Sequence, residues 1–580
     1  MKWTEQLDAS TKELEKFTAE GREALKTYHG SEGASVFNVY WANVNVLRSA
    51  LYANPPAPLV KRQFDDYMDD TARVAAVIME RLLTCDATHT SLSCAVEDRL
   101  IPGLGQVWVR YEPVIITDEQ GNDFVTDEQA PVDYVHWEDF RYSPARTWSE
   151  VWWVARRVYM TKREVEERFG PEAVDKVTWG PAPAGRRLDS ELQPSETKSR
   201  KAEIWEVWNK RRKTVCWYPG RDDTPLEEKY DYLDFKDFFP CPRPLAANLI
   251  TSRFVPKNDY QMAKKQYRRV AALSDRIMLL EEAIRVVGAY DKTNAELKQM
   301  IGGKNNLMIP VENWAMYSER GGAKGSVDWF PLDMVVAALE KLQAQLPAAM
   351  SQLYELLGIS DIMRGVSSPR ETLGAQQMKS SYSSARLQFS QEEVAKFVTD
   401  TLRLRAEVIS NHFKPETIAK QSNIQYSPDA QLAPQAIQLI KDKFLARYRI
   451  EVSTDTLSIP DYNAERSGRV DFITATGQFI SQVWPLVQAD PGSAPFLLQI
   501  LQWGMSSFRS AQTIEGVFDQ AVKATQLSLK QKASTPPQPT PQQIADVKET
   551  EASAAEKAAH AQERQAKTLE IIHGRPATGA

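Results

Sequence analysis

Seven apolar residues between Leu332 and Leu357 restrict this part of the chain to a single long helix. They recur in alternating steps of four and three, a period of about 3.5, which places them on one seam. Pro347 lies within the repeat and predicts a kink, because proline removes a backbone donor and crowds the preceding turn. Gly358 is predicted to end the helix. The seam residues are Val335, Leu339, Leu342, Leu346, Ala349, Leu353 and Leu356.

A second apolar run, from Asp259 to Gly288, predicts another long helix of about 45 Å at about 1.5 Å per residue. The insert between the two helices, Ala289 to Pro331, contains Gly and Asn residues and predicts short strands. Each run alone is equally well explained by a helix packed on a core. Together they indicate two long helices joined by a small cap, a stalk with a tip. The apolar residues of the second run are Ala263, Tyr267, Val270, Leu273, Ile277, Leu280, Ile284 and Val287.

The remaining chain predicts helices at both ends and strands between them. Residues 85–160 predict strands, with a hairpin turn at Asp118–Asp123, and Ala202–Tyr218 predicts a strand pair. Thr161 and Glu164 have the spacing of a helix capping box. The other predicted elements are helices over 1–30, Phe37–Tyr52, Asp65–Leu83, Glu371–Asn411 and Ala433–Phe444, a strand over Val151–Tyr159, a strand over Tyr448–Val452, and a loop over 180–200.

The length and charge of the chain limit its functional class. With 580 residues it should hold several domains, because single cores stop growing at about 250–300 residues. It has 71 basic and 77 acidic residues, a formal net charge of -6. Such a balance argues against tight nonspecific binding of duplex DNA by the whole surface. An ordinary soluble protein has the same balance, so net charge alone does not identify the functional class of the chain.

The sequence contains no recognisable catalytic or metal-binding motif. Gly302-Gly-Lys304 is followed by Asn and lacks the upstream glycine of a phosphate-binding loop. His136 has no second ligand nearby and is interpreted as a strand-end residue, and the acidic residues around Asp65 as a solvated helix face. We therefore expect no enzyme activity, no cofactor and no metal. The four cysteines lack metal-ligand spacing and are expected to be reduced: Cys85, Cys94, Cys216 and Cys241.

Targeting and membrane signals are equally lacking. The N-terminus is polar and charged, unlike a signal peptide. No apolar run approaches the ~20 residues of a membrane-spanning helix. We expect no membrane association. From Ser534 the composition shifts to Pro, Gln, Ala, Glu and Lys, which predicts a disordered or extended segment. Ala545–Ile571 within it is compatible with either disorder or a solvated helix.

The order of several segments resembles the portal proteins of tailed bacteriophages, in their podovirus-like branch. The resemblance covers roughly residues 36–480 and depends on the order of the segments, because no single one is highly specific. It is carried by the stalk and tip, by Leu356-Leu-Gly-Ile-Ser-Asp-Ile-Met-Arg-Gly365, and by the segments Tyr40–Pro56, Leu100–Tyr111, His136–Trp148 and Met160–Phe169.

The resemblance implies an α+β, mainly α fold for a ring-forming subunit. Its expected parts are a wing domain with N-terminal helices and a β-rich part, a two-helix stem, a small clip tip, a tunnel loop, a long wing helix, a helical crown and a tail. The corresponding ranges are 1–255 for the wing, 256–290 and 332–358 for the stem helices, 291–331 for the clip, 359–372 for the tunnel loop, 373–413 for the long wing helix, 414–530 for the crown and 531–580 for the disordered or helical tail.

Carried onto this sequence, the family pattern suggests three groups of functional residues. The tunnel loop would bring Arg364, Ser367, Ser368 and Arg370 into the channel, where the arginines contact phosphates, or else pair locally with Asp361 and Glu371. The stem would present Lys264, Lys265, Arg268 and Arg269, as a guide for sliding DNA or simply as a solvated basic face. The clip interface would use Asn306, Trp314, Tyr317 and Trp329, and stem packing would use Val335, Leu339, Leu342, Leu346 and Leu353.

The implied function is a ring of about twelve subunits at one capsid vertex, a number taken from the family. Double-stranded DNA would be packaged through it by the terminase motor, whose large subunit is a separate protein, and later ejected. Other implied partners are the tail adaptor or head-completion protein and the major capsid and scaffolding proteins. The ring would nucleate the capsid, assemble in the host cytoplasm and end in the virion. The alternatives are another ring or adaptor at the head–tail junction, or a nucleic-acid-binding enzyme whose active site is not evident from sequence.

Overall fold

A computed structural model gives the fold of two compact units, Met1–Pro460 and Asp461–Ala580. It describes residues 2–30, 37–62, 70–84, 86–117, 123–181, 200–284, 288–290, 319, 327–329, 332–359, 373–427, 429–442, 444–452, 470, 473–479, 481–482, 500 and 550–565. The first unit combines helices with antiparallel sheets, in agreement with the expected α+β class.

Four helices open the first unit. They are α1 (Trp3–His29), α2 (Val39–Leu51), α3 (Asp70–Leu83) and α4 (Asp86–Leu100). The predicted helices at 1–30 and Phe37–Tyr52 are confirmed, and α3 ends at the predicted residue. In α1, Leu7, Leu14 and Phe17 are buried, so the amphipathic pattern read from the sequence is the face that packs.

The strand prediction for residues 85–100 is wrong, because this segment forms α4. Its Thr, Ser and Cys residues favour extended structure weakly and show little helical amphipathicity. The helix is nevertheless packed between α2 and the strands β2 (Leu104–Val109) and β5 (Val132–Val135), with Leu92, Ala95 and Val96 fully buried. Tertiary packing therefore overrides a weak local preference.

Antiparallel strands form the β-rich part of the first unit. The strand β1 (Pro58–Arg62) pairs with β15 (Tyr448–Val452), and β3 (Glu112–Thr117) pairs with β4 (Asp123–Gln129). The other strands are β6 (Phe140–Tyr142), β7 (Trp153–Met160), β8 (Trp179–Pro181), β9 (Arg200–Asn209), β10 (Thr214–Pro219), β11 (Glu227–Tyr230) and β12 (Leu245–Ala246). A six-stranded sheet has the path β11-β10-β9-β7-β6, with β8 also paired to β9, and a three-stranded sheet has the order β12-β2-β5.

Several local predictions in this region are confirmed. β3 and β4 flank the predicted hairpin turn, and β9 and β10 are the predicted strand pair. The helix α5 (Lys162–Phe169) begins with the predicted capping box: the Glu164 amide donates to the Thr161 hydroxyl at 3.4 Å, and Glu164 Oε2 accepts from the Thr161 amide at 2.7 Å. The predicted loop at 180–200 lies mostly outside the described residues.

Long helices follow the sheets. They are α6 (Asp259–Ala283), α7 (Leu332–Leu357) and α8 (Leu373–His412), and the short strands β13 (Gly288–Tyr290) and β14 (Val327–Trp329) pair between α6 and α7. Three shorter helices close the unit: α9 (Pro415–Ser422), α10 (Ala433–Lys441) and α11 (Phe444–Arg447). The predicted strand Tyr448–Val452 is confirmed as β15.

The segment after α8 packs within the first unit. α9 and α10 contact α3, and β15 pairs with β1. The described residues of 415–452, which fall in the range expected for a crown, therefore pack within the first unit. In the second unit, residues 473–479 and 550–565 are helical, the latter exposed throughout. None of the helices in the described part of the chain combines the length and apolarity required to cross a bilayer.

Candidate functional site

The candidate site is the helical stem formed by α6 and α7. Two side-chain contacts define how the helices run: Arg269 Nη1 donates to Gln352 Oε1 at 3.1 Å, and Gln343 Nε2 donates to Glu281 Oε1 at 3.4 Å. Moving forward along α6 thus means moving backward along α7, so the two helices are antiparallel. At about 1.5 Å per residue, each is about 40 Å long.

The predicted apolar seam of α7 faces α6 for most of its length. Leu339, Ala349 and Leu353 are buried, and Val335, Leu342 and Leu346 are partly buried. Leu356 is the exception, because its side chain is exposed at the end of the helix. The helix continues through Pro347, whose side of the helix is solvent-facing. Six of the seven seam residues are therefore buried or partly buried.

The C-terminus of α7 is closed by two features. Gly358 has φ +73°, a left-handed conformation that favours glycine, and its predicted role at the helix end is confirmed. Arg386 of α8 donates from Nη1 to the Leu356 carbonyl at 3.3 Å. Cationic side chains are favourable at this end, where carbonyl groups lack helical partners. Arg386 could not be identified from the sequence, because nothing local connects it with a helix end thirty residues earlier.

At the other end of α7, the β13–β14 pair joins the stem helices into one helix–ribbon–helix unit. Gly288 pairs with Trp329 and Tyr290 pairs with Val327. Trp329, a predicted clip residue, is therefore part of this ribbon. The other predicted clip residues, Asn306, Trp314 and Tyr317, lie outside the described part of the chain. So do the predicted tunnel-loop residues Arg364, Ser367, Ser368 and Arg370.

The predicted basic residues of the stem lie near the start of α6, where an acidic side chain of α1 contacts two of them. Glu23 of α1 accepts from Lys264 Nζ at 2.6 Å and from Arg268 Nη2 at 3.2 Å. Arg269 reaches Gln352 instead, and Lys265 is exposed. One carboxylate thus offsets part of the charge of two of the four cations.

Glu23 was not singled out from the sequence, although it connects α1 to three side chains of α6. Its Oε2 also accepts from Gln261 Nε2 at 2.8 Å. Burial alone would raise the pKa of Glu23, but the hydrogen bonds from Lys264 and Gln261 outweigh it and hold the pKa below its usual value. The carboxylate is therefore ionised at neutral pH. The apolar periodicity of a helix indicates which of its faces packs, but it does not identify an acidic residue of another helix that contacts that helix.

Large apolar side chains also lie on faces of the stem that do not pack. Leu279 of α6 is 60 % exposed and Met334 of α7 is 76 % exposed. Leu279 is two residues beyond the partly buried Ile277, about 200° around the helix at about 3.6 residues per turn. Met278 and Val336 are exposed as well. The stem is thus apolar on more than the single face that joins its two helices.

His136 and three of the cysteines singled out from the sequence lie in the first unit. His136 accepts from the Glu138 amide at 3.3 Å through Nδ1 and lies beside Trp137, with its pKa lowered by burial. Cys94, Cys216 and Cys241 are free thiols whose pKa values burial raises, so they are weak nucleophiles. Among the residues that the structure describes, no three His, Cys, Asp or Glu residues cluster in a way that could hold a metal ion.

Comparison with models of known protein families finds none that matches this chain. Comparison with curated proteins likewise finds no match.

Proposed function

We propose that this chain is a subunit of a phage portal ring, a structural conduit for double-stranded DNA. The observation that carries the proposal is the antiparallel helix–ribbon–helix stem with apolar side chains exposed on its unpacked faces. In a monomer, residues such as Leu279 and Met334 would remain in water. In a ring of stems, each would pack on a neighbouring copy.

The dimensions of a ring of stems suit a DNA duplex. Packed helices lie about 8–10 Å apart, so twelve would form a circle with a circumference of about 110 Å. The radius from the ring centre to the helix axes would then be about 18 Å. Subtracting ~5 Å of side chain leaves a lumen about 26 Å wide, enough for a duplex of about 20 Å. Six helices would not leave room. The number twelve comes from the resemblance to the portal family.

The weak positive charge of the stem suits DNA that slides through a ring better than DNA that is bound tightly. Lys264 and Arg268 share Glu23, so a ring of stems would present a weakened positive belt. DNA-binding affinity rises with the number of phosphates neutralised, and a conduit requires few lasting contacts. In this role the chain has no cofactor. Its partners would be a packaging ATPase, the major capsid and scaffolding proteins and a tail adaptor.

The test is the mass of the purified full-length chain by light scattering, with negative-stain images of the same peak. The proposal expects a mass near twelve times 65.6 kDa and rings with a central hole. A monomer or dimer at every concentration and salt, including after incubation with scaffolding protein, would refute it.

A further inference from the structure

A second feature of the first unit, separate from the stem, is the two-stranded ribbon β3–β4, Glu112–Gln129. Ile116 lies opposite Phe124 and Ile115 opposite Val125, with a bulge between Val114 and Ile115. In the described part of the chain these strands pair only with each other. Their base is held by Lys414, the residue that precedes α9, whose amide donates to Glu128 Oε2 at 2.5 Å.

The ribbon exposes large apolar side chains on both faces. Ile115, Ile116 and Phe124 are each more than half exposed. Opposite residues of a ribbon share a face and successive residues alternate, so Ile116 and Phe124 mark one face and Ile115 the other. An isolated two-stranded ribbon is marginally stable in water, and exposed apolar edges tend to pair with another chain. The ribbon therefore has the properties of a surface that is covered in an assembly.

The charges of the ribbon indicate what covers it. The strands β3 and β4 carry four acidic residues and no lysine or arginine. Glu128 is buried and Glu112 lies 3.3 Å from Arg110, so Asp123 and Asp127 leave the ribbon acidic overall. A complementary partner must be basic and must offer apolar or aromatic surface.

This same chain has a surface of that kind at the turn between β9 and β10, Lys210–Lys213, here called the basic turn. All four of its residues are exposed. Lys213 pairs with Asp231 at 3.4 Å, whereas Lys210, Arg211 and Arg212 form no ion pair within the described residues. Beside the turn, opposite Thr214, Tyr230 is 71 % exposed on β11, the edge strand of the six-stranded sheet.

Other basic clusters of the first unit are already neutralised in part. Lys264 and Arg268 contact Glu23, and Arg449 contacts Glu451 at 3.0 Å. Within the described residues, the basic turn thus combines three cations that form no ion pair with the exposed ring of Tyr230. Two of these cations lie over rings of the same unit, Lys210 over Phe239 and Arg211 over Trp152. Arginine and tyrosine are enriched at protein interfaces.

We propose that the ribbon of one copy of this chain docks on the basic turn and Tyr230 of a second copy. The contact joins two different surfaces, so it repeats head to tail and closes into a ring when the rotation between copies permits. The inference rests on the proposed ring function for its biological setting, but the contact itself is tested independently.

Cysteine cross-linking tests the contact directly. Ile116→Cys and Arg212→Cys chains are prepared separately and together in one chain, and all are treated with a short bismaleimide beside the parent chain. We expect the double variant to give a ladder of oligomers, the mixture of single variants to give dimers, and each single variant to match the parent. Ile116→Cys with Arg163→Cys, at an exposed position on α5, is the matched control.

Three outcomes would overturn the inference. The double variant could cross-link no better than the control pair. Ile116→Cys could cross-link to itself, which would indicate ribbon against ribbon. It could also cross-link only to an added capsid or scaffolding protein, which would make that protein the occupant.

A second variant separates this inference from the proposed function. Ile116→Asn with Phe124→Asn changes only exposed side chains, so the circular dichroism spectrum should be unchanged while the ring fraction falls at least tenfold. Intact rings without cross-linking would overturn the ribbon contact and leave the ring proposal standing. If the double-cysteine variant cross-links but the parent chain forms no rings, the ribbon contact would stand and the ring proposal would be overturned.

Discussion

At the scale of residues, a buried charged network stands out in the core of the first unit. Arg156 donates from Nε to Glu206 Oε2 at 2.7 Å and from Nη1 to Asp133 Oδ2 at 2.9 Å, and its guanidinium lies 5.0 Å from the ring centre of Trp108. Glu206 Oε1 also accepts from the indole of Trp208 at 2.9 Å. The network connects the six-stranded sheet to β5.

Removing one charged partner from this network should lower the stability of the folded chain. Arg156→Met leaves Glu206 as a buried anion that has lost its cation, so we expect the free energy of unfolding to fall by about 3–5 kcal/mol. Urea unfolding followed by tryptophan fluorescence measures it. Arg163→Met, which breaks the exposed pair with Glu167, should leave the free energy of unfolding nearly unchanged, because water and salt screen an exposed ion pair. Equal effects of the two substitutions would contradict the argument.

Asp98 predicts a pH dependence of stability. Burial raises its pKa to about 8, although the Tyr134 hydroxyl and the Trp137 amide donate to its Oδ2. The folded chain therefore holds a proton that the unfolded chain releases above about pH 4. The free energy of unfolding should fall as the pH rises from about 4 to about 8, because the unfolded state binds fewer protons.

Asp98→Asn tests this dependence because it removes the titrating group and keeps an oxygen acceptor. The difference in melting temperature between the variant and the parent should move in favour of the variant from pH 5 to pH 8. A difference that stays constant across this range would mean that the Asp98 carboxyl is ionised in the folded chain.

At the scale of elements, the packing of β2 on α4 depends on one glycine. A Cβ on Gly105 would lie 1.8 Å from the Ala95 carbonyl oxygen, a backbone atom that cannot rotate away. We expect Gly105→Ala to lower the free energy of unfolding by about 3 kcal/mol, the upper end for overpacked sites, and to reduce soluble yield. Gly180→Ala is the control, because no atom lies within 4 Å of its Cβ position. Chemical denaturation of both variants measures their free energies of unfolding, and equal values would contradict the close packing at Gly105.

Elements with strong local signals could be predicted, and elements defined by distant contacts could not. The bounds of α7, the capping box at Thr161 and the strand Tyr448–Val452 follow from periodicity and local hydrogen bonding. α4 could not be recognised, because its burial comes from β2 and β5 rather than from a pattern of its own. For the same reason the basic residues of the stem were predicted without Glu23, whose contact spans over two hundred residues.

At the scale of the whole molecule, the stem predicts a dependence of assembly on exposed apolar residues. Leu279→Asp should leave the circular dichroism spectrum of the chain unchanged and abolish the ring in light scattering, because a charge would be buried at each subunit contact. Arg276→Ala, at an exposed position on the same helix, is the control. Rings that persist in Leu279→Asp at parent abundance would remove α6 from the assembly interface.

The pairing of β1 with β15 has a consequence for biosynthesis. Residues 58–62 emerge early from the ribosome, but their partner strand ends at residue 452. At about 5–20 residues per second, β1 waits about 20–80 s for its partner. Lys61 and Arg62 carry positive charge on the waiting strand, a feature that discourages pairing with other nascent chains. The first unit is thus completed only after both stem helices have been translated, because β15 follows α6 and α7 along the chain.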